Sequence, residues 1–487
     1  MRLLAALPLT LAACAQDTPT WPQFRGPNLS GIAESAPPVE FGQLKNLLWK
    51  QALPAGHSSP AVWGNRIFIT GFDKESKKLE VICLARNDGA ILWRRAVLAP
   101  EIEKTQTVSN PATGTPAADG SGVYVYFGSS GLAAFDLEGN QKWSVPMPPA
   151  KTLFGSGSSP IAAGDLVILH REETTGSYLL AVDRADGHTV WKTAYQISSA
   201  RSGESYSTPV LWRGQLVLHR SGFVDAYDLK TGSRRWWVPV STIGASSVAV
   251  DRDTVYAAAF SPLGEADQLT VVPDFDTLLK KYDKNGDDQI SLEELPDDAV
   301  PLVIRPDTPN IPGATIYAKR FFVRFQPSLT MIQRRDWEGM IGGLKAMAKP
   351  HGVIAIRPDG EGDVSKSIVW KESTAIPEVP TPLVHDGRVY LTRNGGIVTC
   401  LDAKSGKVLY RERNGAGGPY YSSPILAGGR IYVASGDGSV VVFTPGDKLD
   451  VLARNDLGED IFATPAVVGG TIYVRTSGHL WAFGEKK

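Results

Sequence analysis

Cysteine is scarce in this chain: three among 487 residues, at positions 14, 83 and 400, with no two adjacent and no C-x-x-C. That spacing argues against a disulfide-stapled scaffold and a dithiol redox motif. Histidine is also sparse, seven residues with none in H-E-x-x-H. No G-x-S-x-G, P-loop or G-x-G-x-x-G occurs, so the usual signatures of nucleophilic hydrolysis, nucleotide binding and zinc-dependent proteolysis are missing. Neither sign of charge dominates. Lys plus Arg number 50 and Asp plus Glu 51, a net charge of −1 that excludes a general nucleic-acid binder. Beyond the first residues, no apolar run is long enough to span a bilayer.

Glycine and proline are plentiful, 49 and 34 residues, as a chain with many tight turns requires. Hydrophobic content of 43% and charged content of 21% describe a soluble globular protein. The start, MRLLAALPLTLAACAQ, reads as an export signal over residues 1–15. Two cleavage readings compete. Ala13-Cys14-Ala15 suits ordinary signal peptidase, whereas Leu11-Ala12-Ala13-Cys14 resembles a bacterial lipobox that would leave a lipidated Cys14 as a membrane anchor. The expected location is the periplasm or the outer membrane. Residues 16–45, containing WPQFRGP (Trp21 to Pro27), read as an N-terminal arm lying on the fold.

One phrase recurs through the remainder. Ala226, Asp228, Gly232 and Trp236 share a spacing with Ala181, Asp183, Gly187 and Trp191, and with Cys400, Asp402, Gly406 and Tyr410. Cys83, Ala85, Gly89 and Trp93 repeat it without the Asp, and Ala134, Asp136, Gly139 and Trp143 more loosely. Asp accepts hydrogen bonds from the turn it opens, and Gly supplies positive φ. The aromatic fills the gap between neighbouring sheets. Cys83 and Cys400 stand in the small-residue slot and are expected to be buried and unpaired. A second phrase, small-small-Pro before a short strand, occurs at Ser58, Gly114, Ser158, Ser207, Pro380, Ser422 and Ala463, with Ser246-Ser247-Val248 as a variant. Eight such units of about 40–50 residues predict an all-β, eight-bladed β-propeller. The last unit stops at Phe483 without an outer strand, which the orphan strand around Trp49 can supply. The propeller is expected over residues 46–260 and 353–487. Residues 261–352 interrupt blade 5 as a small helical insert at the funnel mouth.

The insert holds DKNGDDQISLEE, Asp283 to Glu294, an EF-hand calcium pattern. Asp283, Asn285, Asp287 and Glu294 offer side-chain oxygens, Gln289 a backbone carbonyl, and Ser291 a water contact. Asp288 stands where such loops usually have Gly. Phe325 to Trp337 reads as a degenerate partner hand that packs without binding metal. A possible funnel rim combines His57, His170, Tyr206, His219, Arg220, Arg393, Tyr420 and Arg475, suited to an anion or sugar, against the simpler reading of ordinary loop-end residues.

The Ala-x-Asp-x-x-x-Gly-x-x-x-Trp spacing resembles the tryptophan-docking motif of quinoprotein dehydrogenase propellers, shared by the propeller lipoprotein of bacterial outer-membrane assembly. WPQFRGP, the EF-hand insert and the tail DLGEDIFATPAVVGGTIYVRTSGHLWAFG resemble exported PQQ-binding-like propeller proteins. The resemblance implies a quinoprotein alcohol dehydrogenase-like fold and permits pyrroloquinoline quinone (PQQ). The family's dehydrogenases, however, carry a vicinal Cys-Cys pair that this chain lacks, and their funnel calcium and Asp base have no match here. Three functions follow: a calcium-capped propeller binding a protein or glycan partner on its funnel face, a PQQ-dependent alcohol or sugar dehydrogenase, or a subunit of an envelope-assembly complex.

Overall fold

A computed structural model of the chain describes residues 19–485, apart from 107, 175, 196–202, 241, 243, 261–267, 306–314 and 349–350. The export segment and Cys14 lie outside the described residues. Eight sheets form the eight blades of a propeller, as the repeat predicts. Blades 1 to 7 occupy residues 61–97, 117–146, 161–194, 210–239, 249–372, 383–413 and 425–456, each with four antiparallel strands, consecutive in all but blade 5. Blade 8 takes three strands from 466–483 and its outer strand from the other chain end, where Leu47–Ala52 pairs antiparallel with His479–Phe483.

Two devices hold the blades together, one at five of the eight blade junctions and one around the whole ring. The first is the docked tryptophan. Trp49, Trp93, Trp143, Trp191 and Trp370 each lie over the turn glycine of the next blade, and each indole N–H donates to a backbone carbonyl of that turn (Arg86, Leu137, Arg184, Leu229 and Ala403) at 2.9–3.1 Å. A Cβ at Gly89 would sit 2.5 Å from the Trp49 ring, and one at Gly232 2.4 Å from Trp191. Both glycines also have positive φ, so this slot excludes a side chain twice over. Between blades 4 and 5 the device changes: Gly362–Asp363 adds as a parallel edge strand beside Trp236–Trp237.

The second device is the small-small-Pro phrase. Its second residue bonds around the whole ring. The backbone N–H of Ser59 donates to Thr115 Oγ1, Thr115 to Ser159, Ser159 to Thr208, Thr208 to Ser247, Ser247 to Thr381, Thr381 to Ser423, Ser423 to Thr464, and Thr464 back to Ser59, all at 2.9–3.2 Å. The proline that follows opens an innermost strand, whose free edge faces the channel. A missing N–H costs nothing there.

The arm does not lie on the outer surface. It crosses the central channel. Thr20–Trp21 pairs with Val62–Trp63 on the inner edge of blade 1. The Pro22 carbonyl accepts from Ala118 N at 2.7 Å, and Gln23 Oε1 accepts from Ala162 N at 3.4 Å. Arg25 donates to the Pro382 and Pro424 carbonyls of blades 6 and 7, and Ile32–Ala33 runs parallel to Leu426–Ala427. The inner strands present unpaired backbone groups, and the arm satisfies part of that demand. The Trp21 ring packs on Gly26, where a Cβ would come within 2.6 Å, and Trp21, Arg25 and Leu29 are all buried.

The insert leaves blade 5 after Val255–Ala259 and returns at Gly352–Ile356. Its helices are α1 (Phe275–Tyr282), α2 (Ala318–Phe325) and α3 (Arg334–Ala348). It has its own core, including Phe275, Leu278, Ile290, Phe322, Ile332 and Trp337. Arg305 ties it to Glu378, just before blade 6, at 2.9 Å. The insert stands on the face where the loops enter the inner strands. The arm begins on the opposite face, where the Pro19 carbonyl accepts from Gly64 in the first turn of blade 1.

Candidate functional site

Most of the expected rim is wall. His170 and His219 end corresponding strands of blades 3 and 4 and are fully buried. His170 Nδ1 lies 2.7 Å from the Tyr195 hydroxyl and His219 Nδ1 3.1 Å from the Ser246 carbonyl. Burial pulls their pKa values down to about 3 and about 4. Arg220 bridges Glu172 at 3.1 Å and Asp225 at 2.9 Å beneath the Tyr195 ring. Arg475 donates to the Ser58 and Pro54 carbonyls, and the Tyr420 hydroxyl donates to the Ala416 carbonyl at 2.9 Å. Arg393 is buried at the equivalent strand end of blade 6. The correction has a simple cause. A propeller blade is covered on both faces by its neighbours, so the strand-end alternation that would separate core from solvent in a half-exposed sheet leads into packing on either side.

Two rim residues stay half-buried at the funnel. His57 stacks on Phe462 with ring centroids 4.1 Å apart, and Phe462 stacks in turn on Tyr421 at 5.0 Å. The Tyr206 hydroxyl donates to Glu204 at 2.9 Å. Burial, with Arg475 nearby, pulls His57 down to about 3, so it is neutral at physiological pH. Sequence reasoning missed the acids. Burial lifts Glu172 and Glu103 to about 7, with Arg220 and the Ser156 hydroxyl and N–H respectively pulling the other way. Glu172 meets an arginine from a different blade, and no local pattern announces such a pairing.

Loop 283–294 in the insert is closed by its own side chains. Asp283 accepts from the backbone of Gly286 at 2.7 Å and of Asp288 at 3.1 Å. Asn285 accepts from Asp287 N, and Asp287 from Gln289 N. Glu294 folds back to accept from Lys284 N, Ser291 N and the Ser291 hydroxyl at 2.9–3.0 Å. These bonds hold Glu294 below the usual carboxylate range. Asp288 has φ +60°, the left-handed conformation this position demands. Ile290–Ser291 pairs with Met331–Ile332, so loop 283–294 and the segment between α2 and α3 are joined by a short ladder. The oxygen donors suit a hard divalent cation.

The arm narrows the channel that a quinone would have to enter. A planar tricarboxylate needs a slot on the axis and cations free to meet it, and the arm takes that space. Arg25 is fully buried; its Nη2 donates to the Pro382 and Pro424 carbonyls, and its Nε and Nη1 meet no acceptor among the described residues.

The eight blades, the tryptophan docking and the closure through an N-terminal strand define a PQQ-like propeller repeat protein. The chain belongs to the family described as outer membrane protein assembly factor BamB, whose pattern matches residues 45–318 and 351–483. The unmatched stretch between them lies in the insert. The BamB protein of Yersinia pestis is 20% identical over 349 residues, covering 68% of this chain and 84% of that protein. Among solved structures, BamB from Moraxella catarrhalis is similar at a TM-score of 0.53 and 13% identity, covering 90% of this chain and 98% of its own. A europium-containing methanol dehydrogenase is similar at 0.58 and 10% identity, covering 96% and 98%. The quinohemoprotein alcohol dehydrogenase of Comamonas testosteroni reaches 0.55 and 12% identity, covering 96% and 81%. These structural likenesses establish the fold alone.

Proposed function

We propose that this protein is an exported, non-catalytic propeller that serves as a scaffold for protein partners in the bacterial envelope, capped by a calcium-binding insert. The observation that carries this reading is the arm in the channel. Where a dehydrogenase of this fold would place its cofactor, this chain places Trp21, Gln23 and Arg25 of its own. Binding is then left to the outer faces, and membership of a family named for outer-membrane protein assembly supports a protein partner. A lipidated Cys14 would hold the arm-entry face toward the membrane and present the funnel face, with its insert, to the periplasm.

In the insert, Asp283, Asn285, Asp287 and Glu294 would hold calcium with the Gln289 carbonyl and a water on Ser291. The ion would replace the backbone bonds that now close the loop and would stiffen the insert beside the funnel.

The test is a titration of the mature protein with PQQ, with and without calcium, followed by dye reduction on alcohols and sugars. The expected outcome is neither saturable quinone binding nor dye reduction, together with a calcium-dependent rise in melting temperature. Saturable PQQ binding with turnover would replace this reading with the dehydrogenase. A loss of outer-membrane proteins from cells lacking the gene would support the envelope role, and unchanged levels would count against it.

A further inference from the structure

The face opposite the insert carries a cleft that the scaffold role does not use. It has a volume of ≈ 400 Å³, within the range of small-molecule sites. Gln23 and Asn28 of the arm form one wall. Trp63, Asp119, Arg184 and Leu211 of blades 1 to 4 form the other. The cleft therefore exists only because the arm crosses the channel here.

Its chemistry is specific. Trp63 is half-buried, and its indole N–H has no partner among the described residues. Gln23 is only 7% exposed. Its Oε1 is engaged by Ala162 N, whereas its Nε2 meets no acceptor among the described residues and faces the cleft. The Nε2 is open to the solvent of the cleft, where a ligand acceptor can meet it. Asp119 is held rigidly and its acceptors are taken, by the backbone of Ser121 and Gly122 at 2.7 and 3.1 Å, by the Tyr124 hydroxyl at 3.2 and 3.3 Å and by Arg184 Nη1 at 2.9 Å. Arg184 is shared with Asp165 at 3.3 Å. Two carboxylates on one guanidinium leave no cation for an anionic ligand, and the aromatic and amide groups do not select a cation.

We propose that this cleft binds a neutral carbohydrate of one to two sugar rings. A sugar's C–H face would stack on the Trp63 indole. Its hydroxyls, each both donor and acceptor, would exchange hydrogen bonds with the Gln23 amide and Asn28. The site lies on the arm-entry face, away from the funnel, and stands whether or not the scaffold reading does.

The experiment is isothermal titration and saturation-transfer NMR on the full mature chain with cellobiose, maltose and N,N′-diacetylchitobiose. At least one is expected to bind saturably, and Trp63→Ala and Gln23→Ala are each expected to weaken that binding by about tenfold or more, whereas Trp63→Phe retains it. Trp63→Leu, which keeps bulk without the ring, takes the place of Trp63→Ala if that variant does not fold. The proposal is overturned if none of the three sugars binds at about 10 mM, or if binding survives both variants within about twofold.

Discussion

Gly89 has no room for a side chain, because the Trp49 ring occupies the place where a Cβ would go and the backbone is left-handed there. Gly89→Ala should therefore cost about 2–4 kcal/mol, combining left-handed strain with overpacking. Urea unfolding should show a lower midpoint at an unchanged slope, and a loss under about 0.5 kcal/mol would mean the docking slot is looser than described. A different kind of residue is Glu459. Burial alone would raise its pKa, but hydrogen bonds from Thr476, His479 and Lys50 outweigh it and bring the carboxyl down to about 2. A depressed carboxylate contributes stability that is present above its unfolded pKa and lost as pH falls through the folded value. The wild-type protein should lose stability between about pH 4.5 and about 2 more steeply than Glu459→Gln, as read by melting temperature against pH. Lys50 belongs to the closing strand, so this acid limb also reports on ring closure.

At the scale of elements, the arm behaves as a ninth partner for the blades. Its removal would free the inner-edge amides of Ala118, Ala162 and Leu426, all of which donate to arm oxygens. In a chain lacking residues 19–33, hydrogen exchange at these amides should accelerate while the outer strands keep their protection. Equal protection in both proteins would mean the arm is only loosely seated. The Ser/Thr ring is a second element. Thr381→Val removes the acceptor for Ser247 N and leaves a buried donor unpaired, an expected loss of about 1–3 kcal/mol by calorimetry or urea titration. Thr381→Ser, which keeps the hydroxyl oxygen, should recover most of it.

For the whole molecule, closure through Leu47–Ala52 and a separately cored insert divide the protein into a ring and a cap. Asp283→Ala combined with Glu294→Ala should abolish calcium-dependent stabilisation of the cap and leave the β-sheet circular dichroism signal intact. Collapse of that signal would show that ring and cap unfold as one. The insert leaves blade 5 on the face where loops enter the inner strands and the arm enters from the far side, so this molecule has two chemically distinct faces, and partners of the two need not compete.

The sequence by itself determined the ring. Seven small-small-Pro phrases with the Ser246-Ser247-Val248 variant, and the Ala-Asp-Gly-Trp spacing, announce eight blades because each device acts between repeats, and a contact made once per repeat is written once per repeat. The closing strand was legible for the same reason, since a unit lacking its outer strand and an orphan strand at the other end complement each other. The calcium proposal for loop 283–294 also comes from the sequence, because its oxygen donors are local, all within twelve positions. Only the tertiary structure decided the rest. WPQFRGP is a single phrase with no repeat to align it, and its place in the channel depends on unpaired edges contributed by blades 1, 2, 3 and 7. His170, His219 and Arg220 read as rim residues because their strand ends point toward the funnel, but their surroundings come from neighbouring blades. Burial between blades, and pairing of Arg220 with Glu172 at 3.1 Å, are properties of the packed ring that no window of sequence contains.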